Sequence, residues 1–256
     1  MKKLTIALLF GGKSGEHEVS LRSASSILEA LDRRKYNVVP IGITKTGQWR
    51  SDPDFLEGEL FEILQHGSPV LFPVEPMPLK HLIQCNSLTH WIGRQIQIDV
   101  VFPVLHGPFG EDGTIQGLLE IVNIPYVGSG VLGSALAMDK DVMKRLFQQD
   151  GLRTTPFIAF RKSDWGRQHQ EIVKEVTDKL GYPCFVKPAN LGSSIGISKV
   201  EQPKQLNGAI SLAVQFDNKV IVEKALDARE IECSVLGNVA PQASVPGEIT
   251  PGSVFY

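Results

Sequence analysis

Cysteine is scarce in this 256-residue sequence, and the three that occur, Cys85, Cys184 and Cys233, stand far apart. No C-x-x-C pair is present to nucleate a zinc site, and an odd number of separated thiols suits no closed disulfide framework. A reducing compartment is the expectation. Excess charge of either sign is also lacking, since 26 Lys and Arg face 28 Asp and Glu for a formal net charge of -2. Without a broad basic field there is nothing to hold a nucleic-acid backbone or an anionic membrane surface, which leaves small molecules as the expected partners. No apolar run reaches the roughly 18 residues of a membrane-spanning helix. Internal repeats and low-complexity tracts do not occur.

The start, Met1-Lys2-Lys3 followed by Leu4 to Phe10, is basic and then apolar, as a secretory leader is. Its apolar stretch is at the short limit for a leader, and no A-x-A cleavage site follows. Instead a glycine-rich turn and a helical pattern come next, so the run predicts the buried first strand of a parallel sheet in a soluble, cytoplasmic protein.

A length of 256 residues exceeds one average domain of about 100–200 residues and predicts two. Ala24, Ile27, Leu28 and Leu31 recur at helical spacing, and Val38 to Ile43 is a second strand-length apolar run. The stretch from Ser51 to Thr89 is rich in Pro and Gly, has weak periodicity and predicts only short local structure. Ile98 to Leu105 is a third buried-strand candidate, followed by a glycine-rich loop from His106 to Thr114 and a helix to about Val122. The first α/β domain is expected to close near Gly128. Beyond it, helix signals cover Val131–Ala137 and Asp139–Gln149, the second ending at Gly151. Strands are expected over Thr155–Phe160, Pro183–Lys187, Ile197–Val200, Lys219–Leu226 and Ile231–Leu236, with Ile172, Val176 and Leu180 on one face of an intervening helix. Such short strands predict a mainly antiparallel sheet with helices on one face.

Phe185 to Ile197 carries the most chemistry. Lys187 ends a strand, and the small residues Gly192, Ser193, Ser194 and Gly196 follow in a loop. Nucleotide phosphates need a cation and close backbone N–H donors, which glycine and serine leave unobstructed. A plain hairpin loop with an exposed lysine has the same composition, and spacing does not separate the two. Gly12-Lys13-Ser14 does not complete a P-loop, because Ala7 stands where its first glycine belongs, and a dinucleotide fingerprint would need glycine at Phe10.

The lysine strand with its loop resembles the phosphate strand and lid of ATP-grasp enzymes, and Ile221-Val222-Glu223-Lys224-Ala225-Leu226 is similar to their adenine-binding hinge. Arg229 to Cys233, Gly11 to Leu21, Leu105-His106-Gly107 with Gly110 to Gly113, and Met138-Asp139-Lys140 narrow the resemblance to the D-alanine-D-alanine ligase family. The fold implied is an N-terminal α/β parallel-sheet domain (1–128), a central ATP-grasp subdomain (129–223) and the start of a C-terminal one (224–256), together an incomplete α+β ATP-grasp fold. The resemblance implies ATP as co-substrate, D-alanine as substrate, Mg2+ or Mn2+, a possible homodimer, and a role in peptidoglycan synthesis.

Residue by residue, it implies that Lys140 and Lys187 contact ATP phosphates under a lid containing Ser193 and Ser194. Glu223, Lys224 and Leu226 would frame the adenine, and Glu230 the ribose hydroxyls. Glu16 would hold the ammonium of the first D-alanine together with Ser193, these two being the catalytic assignments, and His106 would line the same site. Each has a plainer reading: Lys140 and Glu230 as solvated surface groups, Glu16 as a capping acid at a helix start, His106 as a structural loop histidine. The family pattern continues past Tyr256, so its metal ligands are expected beyond that residue and the chain is expected to be C-terminally incomplete. Tyr256 is not matched to the family's loop tyrosine.

Overall fold

The computed structural model describes residues 2–52, 54, 60–73, 81–87 and 90–250. Tyr256 and parts of the Pro- and Gly-rich stretch lie outside the described residues. The chain divides into two compact units, Met1–Met143 and Lys144–Tyr256.

In the first unit the elements run β1 (Leu4–Gly11), α1 (His17–Ala30), β2 (Tyr36–Ile43), β3 (Trp49–Ser51), α2 (Leu60–His66), β4 (Ser68–Leu71), β5 (His81–Ser87), β6 (His90–Gln97), β7 (Val100–Pro103), α3 (Thr114–Ile121) and α4 (Val131–Met138). Helix α5 (Lys140–Gln149) begins here and continues into the second unit. One sheet collects the strands in the order β6-β5-β4-β3-β2-β1-β7. Its central strand is buried on both faces: Ala7 and Leu9 pack with Ile115 and Leu119 of α3, while Leu8 and Phe10 pack with Ala24 of α1 and Ile63 of α2. That two-sided burial is why β1 is an unbroken apolar run in sequence.

The expected parallel sheet is present around β1, and further strands make the whole sheet mixed. Only β2-β1-β7 is parallel, and β3 to β6 add to the β2 edge antiparallel. The five residues between β2 and β3 and the two between β5 and β6 are too few for a parallel crossover, which needs a dozen or more.

The second unit contains β8 (Phe157–Arg161), α6 (Lys162–Arg167), α7 (His169–Lys179), β9 (Cys184–Pro188), β10 (Ser198–Val200), α8 (Leu206–Ala213) and β11 (Lys219–Lys224). Its sheet, β10-β9-β11-β8, is antiparallel throughout, as the short strands predict. Side chains alternate across a strand. Ile158, Phe160, Cys184, Val186, Val220 and Val222 therefore share one face, where they form a core with Ile172 and Val176 of α7 and Leu206 and Ile210 of α8. The opposite face carries Phe157, Phe185, Lys187, Ile221 and Glu223. Helix α7 ends at Gly181, whose φ of +69° and N–H bond to the Val176 carbonyl make a left-handed C-terminal cap.

Helix α8 has no counterpart in the sequence reading. The predicted strand over Ile231–Leu236 divides into β12 (Glu230–Glu232) and β13 (Val235–Leu236), which pair with β15 (Gly247–Ile249) and β14 (Gln242–Ala243) respectively. Among the described residues no helix is long and apolar enough to cross a membrane.

Candidate active site

Two loops at the strand ends of the first unit are tied together by short polar side chains. After β1 the chain turns through Gly11 and Gly12, both at positive φ, and a Cβ on Gly11 would collide with the Ile43 carbonyl. Ser20 on α1 accepts a hydrogen bond from Gly11 N–H at 2.8 Å and donates to the Val104 carbonyl, so one buried hydroxyl joins the two loops. Ser14 Oγ donates to the His106 carbonyl at 2.7 Å and accepts from Glu16 N–H at 3.2 Å.

Glu16 occupies the N-cap position of α1, yet its carboxylate makes no capping hydrogen bond and is 8% exposed. Its negative charge at the start of α1 still suits the helix dipole. A Cβ on Gly107 would stand 2.5 Å from Glu16 Oε2, and Gly107 has φ of +70°. A side chain there would both strain the backbone and push that carboxylate aside. Glu111 Oε2 accepts from Gly107 N–H at 2.7 Å, and Asp112 accepts from Phe109 N–H at 2.9 Å and Thr114 N–H at 3.0 Å. The acidic pair in Gly110-Glu111-Asp112-Gly113 therefore shapes the loop. His106 Nε2 lies 3.2 Å from Ser23 Oγ, on the wall of a cavity of about 550 Å3 that Gln116, Ser134 and Met138 also line. Lys140 opens α5, whose first turn is capped by Asp139 Oδ1 accepting from Asp141 and Val142 N–H at 3.1 and 3.2 Å.

The second unit places Lys187 and Glu223 on adjacent strands, with Ile221 as the register partner of Lys187. Lys187 Nζ donates to Glu223 Oε2 at 2.5 Å, and Lys144 Nζ, from α5, reaches Glu223 Oε1 at 2.9 Å. Glu223 is paired in register with Phe157 of β8 and Phe185 of β9. The Lys144 ammonium lies 5.6 Å from the Phe157 ring centre and the Lys187 ammonium 5.7 Å from that of Phe185, both within cation–π range. Burial pushes the Glu223 carboxyl upward, but the charges and hydrogen bonds of Lys187 and then Lys144 outweigh it and hold it below the usual glutamate range.

The lid leaves β9 at Ala189. Asp217 accepts both the backbone and side-chain N–H of Asn190, fixing the lid's first stem. Ser193 and Ser194 have φ of +46° and +57°, and Ile195 N–H bonds to the Gly192 carbonyl at 3.2 Å across them, as in a type I′ turn. Glycine and asparagine favour such positions, so two serines there carry roughly 1–2 kcal/mol of strain each. Gly196 packs so closely on Phe216 and Pro188 that a Cβ would stand 2.7 and 2.8 Å from them.

Lys224, at the end of β11, has an exposed side chain, while its N–H bonds to the Pro156 carbonyl at 3.0 Å. Leu226 is 58% exposed and Glu230, opening β12, is exposed. Among the sequence candidates the structure thus joins Lys187 to Glu223 directly, and it brings the backbones of Glu16 and His106 onto a common serine. The sequence reading gave no individual role to Ser14, Ser20, Glu111, Asp112 or Lys144. For Lys144 a signal existed: it lies four residues after Lys140, on the same helical face.

A divalent metal is implied by the resemblance. Among the described residues no group of three or more His, Cys, Asp or Glu is placed to hold one. All three cysteines are free thiols.

A family model described as the D-ala D-ala ligase N-terminus matches residues 5–129, and one described as the D-ala D-ala ligase C-terminus matches residues 146–256. The chain is 50% identical over 256 residues to a D-alanine–D-alanine ligase of Natranaerobius thermophilus, covering 100% of this chain and 69% of that protein. A Heliobacterium modesticaldum relative of the same name has the same identity and coverage. Among solved structures, the D-alanine-D-alanine ligase from Coxiella burnetii superposes with a TM-score of 0.85 at 36% identity, over 96% of this chain and 71% of that one. The VanG D-Ala:D-Ser ligase of Enterococcus faecalis gives 0.81 at 37% identity, over 96% and 70%. With family models covering both halves and relatives matched over more than two thirds of their length, this chain belongs to the D-alanine–D-alanine ligase family.

Proposed function

We propose that the chain binds ATP on the face of the second unit's sheet that carries Lys187 and Glu223, and takes part in joining two D-alanines, for use in peptidoglycan. The observation that carries this reading is the Lys187–Glu223 pair, a cation and a carboxylate on one sheet face beside a glycine- and serine-rich lid. Lys187 supports phosphate contact, with Lys140 as a second cation, and Ser194 lies in the lid above. Glu223, the Lys224 segment and Leu226 frame the adenine, Leu226 through its backbone, and Glu230 takes the ribose. Glu16 receives the ammonium of the first D-alanine with Ser193, and His106 lines that site. The domain organisation we propose is 1–128, 129–223 and 224–256.

In this reading the first D-alanine carboxylate attacks the γ-phosphoryl group of ATP, breaking its bond to ADP and forming an acyl phosphate. The amine of the second D-alanine then attacks the acyl carbon, phosphate leaves, and the amine proton is lost. Little covalent work falls to the protein in phosphoryl transfer, where positioning and charge stabilisation dominate. The lid's task is to exclude water, which would otherwise hydrolyse the acyl phosphate. The family implies Mg2+ or Mn2+, which when bound shields phosphate charge.

The test is incubation of the purified chain with MgATP, with and without D-alanine, scoring ADP, phosphate and dipeptide by mass spectrometry. D-Alanine-dependent dipeptide supports the ligase. Nucleotide binding without dipeptide supports instead a non-catalytic ATP-binding chain, and no binding overturns both. The D-Ala:D-Ser relative favours a second comparison, in which D-serine or D-lactate is offered as second substrate and the product mass reports the choice. We also read the protein as cytoplasmic and homodimeric, the latter checked by sedimentation.

A further inference from the structure

Glu223 is one carboxylate serving two lysines, and only one of those lysines has a role in the reading above. Lys144 and Glu223 side chains are 12% and 9% exposed, so their 2.9 Å pair is shielded from water, whereas Lys187 is more open at 22%. A buried carboxylate stripped of its partner is strongly destabilising. With Lys144 in place, Glu223 keeps a counter-ion when Lys187 turns toward an anion. Without it, each phosphate contact by Lys187 would leave Glu223 unpaired.

The trio of Lys144, Lys187 and Glu223 carries a net charge of +1, and removal of Lys144 lowers it to zero. The rings beside Glu223 fit the same division: Phe157 supports the Lys144 ammonium at 5.6 Å, and Phe185 supports that of Lys187 at 5.7 Å. Arg145, the next residue on α5, also lies over the Phe157 ring, at 5.8 Å.

We propose that Lys144 is a positioning residue of the nucleotide site: it holds Glu223 in place and so releases Lys187 to bind an anionic phosphate. This rests on the nucleotide reading above but assigns a residue outside it. Lys144 touches Glu223, and acts on the phosphate through the freedom it gives Lys187.

The experiment measures binding of the β,γ-imido analogue of ATP, with Mg2+, to the full chain by calorimetry. In parallel, competitive acetylation with mass spectrometry reads the reactivity of Lys187 in the absence of nucleotide. Lys144→Met is expected to weaken the analogue about tenfold and to slow Lys187 acetylation several-fold, because Glu223 then grips Lys187 alone. Lys144→Arg, which keeps the charge, should retain most of the affinity. In a Glu223→Gln background the further change Lys144→Met should cost less than about threefold, since no carboxylate remains to trap Lys187. Equal losses in both backgrounds would overturn the proposal, as would unchanged Lys187 acetylation in a Lys144→Met chain whose near-ultraviolet circular dichroism is native. If the unaltered chain binds no analogue, the nucleotide reading fails and takes the phosphate role of Lys187 with it. The acetylation arm still distinguishes the two failures, because it tests the exchange of Lys187 between partners without any nucleotide.

Discussion

Asp217 Oδ2 accepts two hydrogen bonds from Asn190, one from its backbone N–H and one from its side-chain amide, each at 2.8 Å. A single carboxylate ahead of β11 thereby clamps the residue from which the lid departs, and its other oxygen accepts from Lys219 N–H at 3.0 Å. Asp217→Ala should speed amide exchange across residues 190–197 while the core strands keep their protection, as measured by hydrogen-exchange mass spectrometry. Loss of these charge-assisted bonds should cost on the order of 2 kcal/mol locally. Unaltered exchange in the lid would show that its stem is held by something else.

The far end of the lid depends on glycine. Gly196 sits at φ of +71° with Phe216 and Pro188 against its α-carbon, so Gly196→Ala must both strain the backbone and push the lid off Phe216. A loss of roughly 1–2 kcal/mol in urea unfolding is expected, with weaker nucleotide-analogue binding. Ser194→Gly, by contrast, relieves a left-handed serine and should leave stability equal or higher by up to about 1 kcal/mol.

Glu223 makes stability depend on acid. Its carboxyl is held below the usual range in the folded chain, so its contribution is fully present above the unfolded value of about 4.3 and is lost as pH falls through the lower folded value. The stability gap between the unaltered chain and Glu223→Gln, about 2–3 kcal/mol at pH 7, should therefore shrink below about pH 4. Urea midpoints measured between pH 3 and pH 7 check this. Lys187→Ala should weaken MgATP binding, and unchanged calorimetric affinity would remove its phosphate role.

The thiols should separate by burial. Burial pushes the Cys184 thiol up to about 11, and Cys85 is also buried, whereas Cys233 is exposed. At pH 8 a maleimide should modify Cys233 first, with Cys184 and Cys85 reacting only on unfolding. Because the folded chain keeps Cys184 protonated, its share of stability falls as pH rises from about 8.5, where the unfolded thiol ionises, toward 11.

Glu16 and Gly107 should fail together. Gly107→Ala places a methyl group where the Glu16 carboxylate stands, so it should reproduce the effect of Glu16→Gln, a loss of D-alanine use larger than any loss of nucleotide affinity. Kinetics with varied D-alanine, beside calorimetry with the ATP analogue, would show whether the two variants agree.

By itself the sequence determined the elements whose burial is written into local pattern. Strands β1 and β2 are readable because both faces are covered and nearly every residue is apolar, and α7 because Ile172, Val176 and Leu180 repeat at helical spacing. The lysine strand and lid were legible as a run of residue types, and family resemblance gave them a role. Helix α8 was not read, although α3 and α4, equally short and each with an internal glycine, were. Only the tertiary structure decided that β3 to β6 extend the first sheet antiparallel, since strand direction depends on which edge is free and how much chain is available to reach it. Only the tertiary structure, too, set Glu223 between Lys144 and Lys187. The three residues come from a helix and two strands: the register of β9 and β11 sets Lys187 diagonal to Glu223, in whose row Phe157 and Phe185 stand, and α5 brings Lys144 to the same carboxylate. A local sequence window contains no trace of that row, because pairing across strands joins residues by hydrogen-bond register and not by distance along the chain.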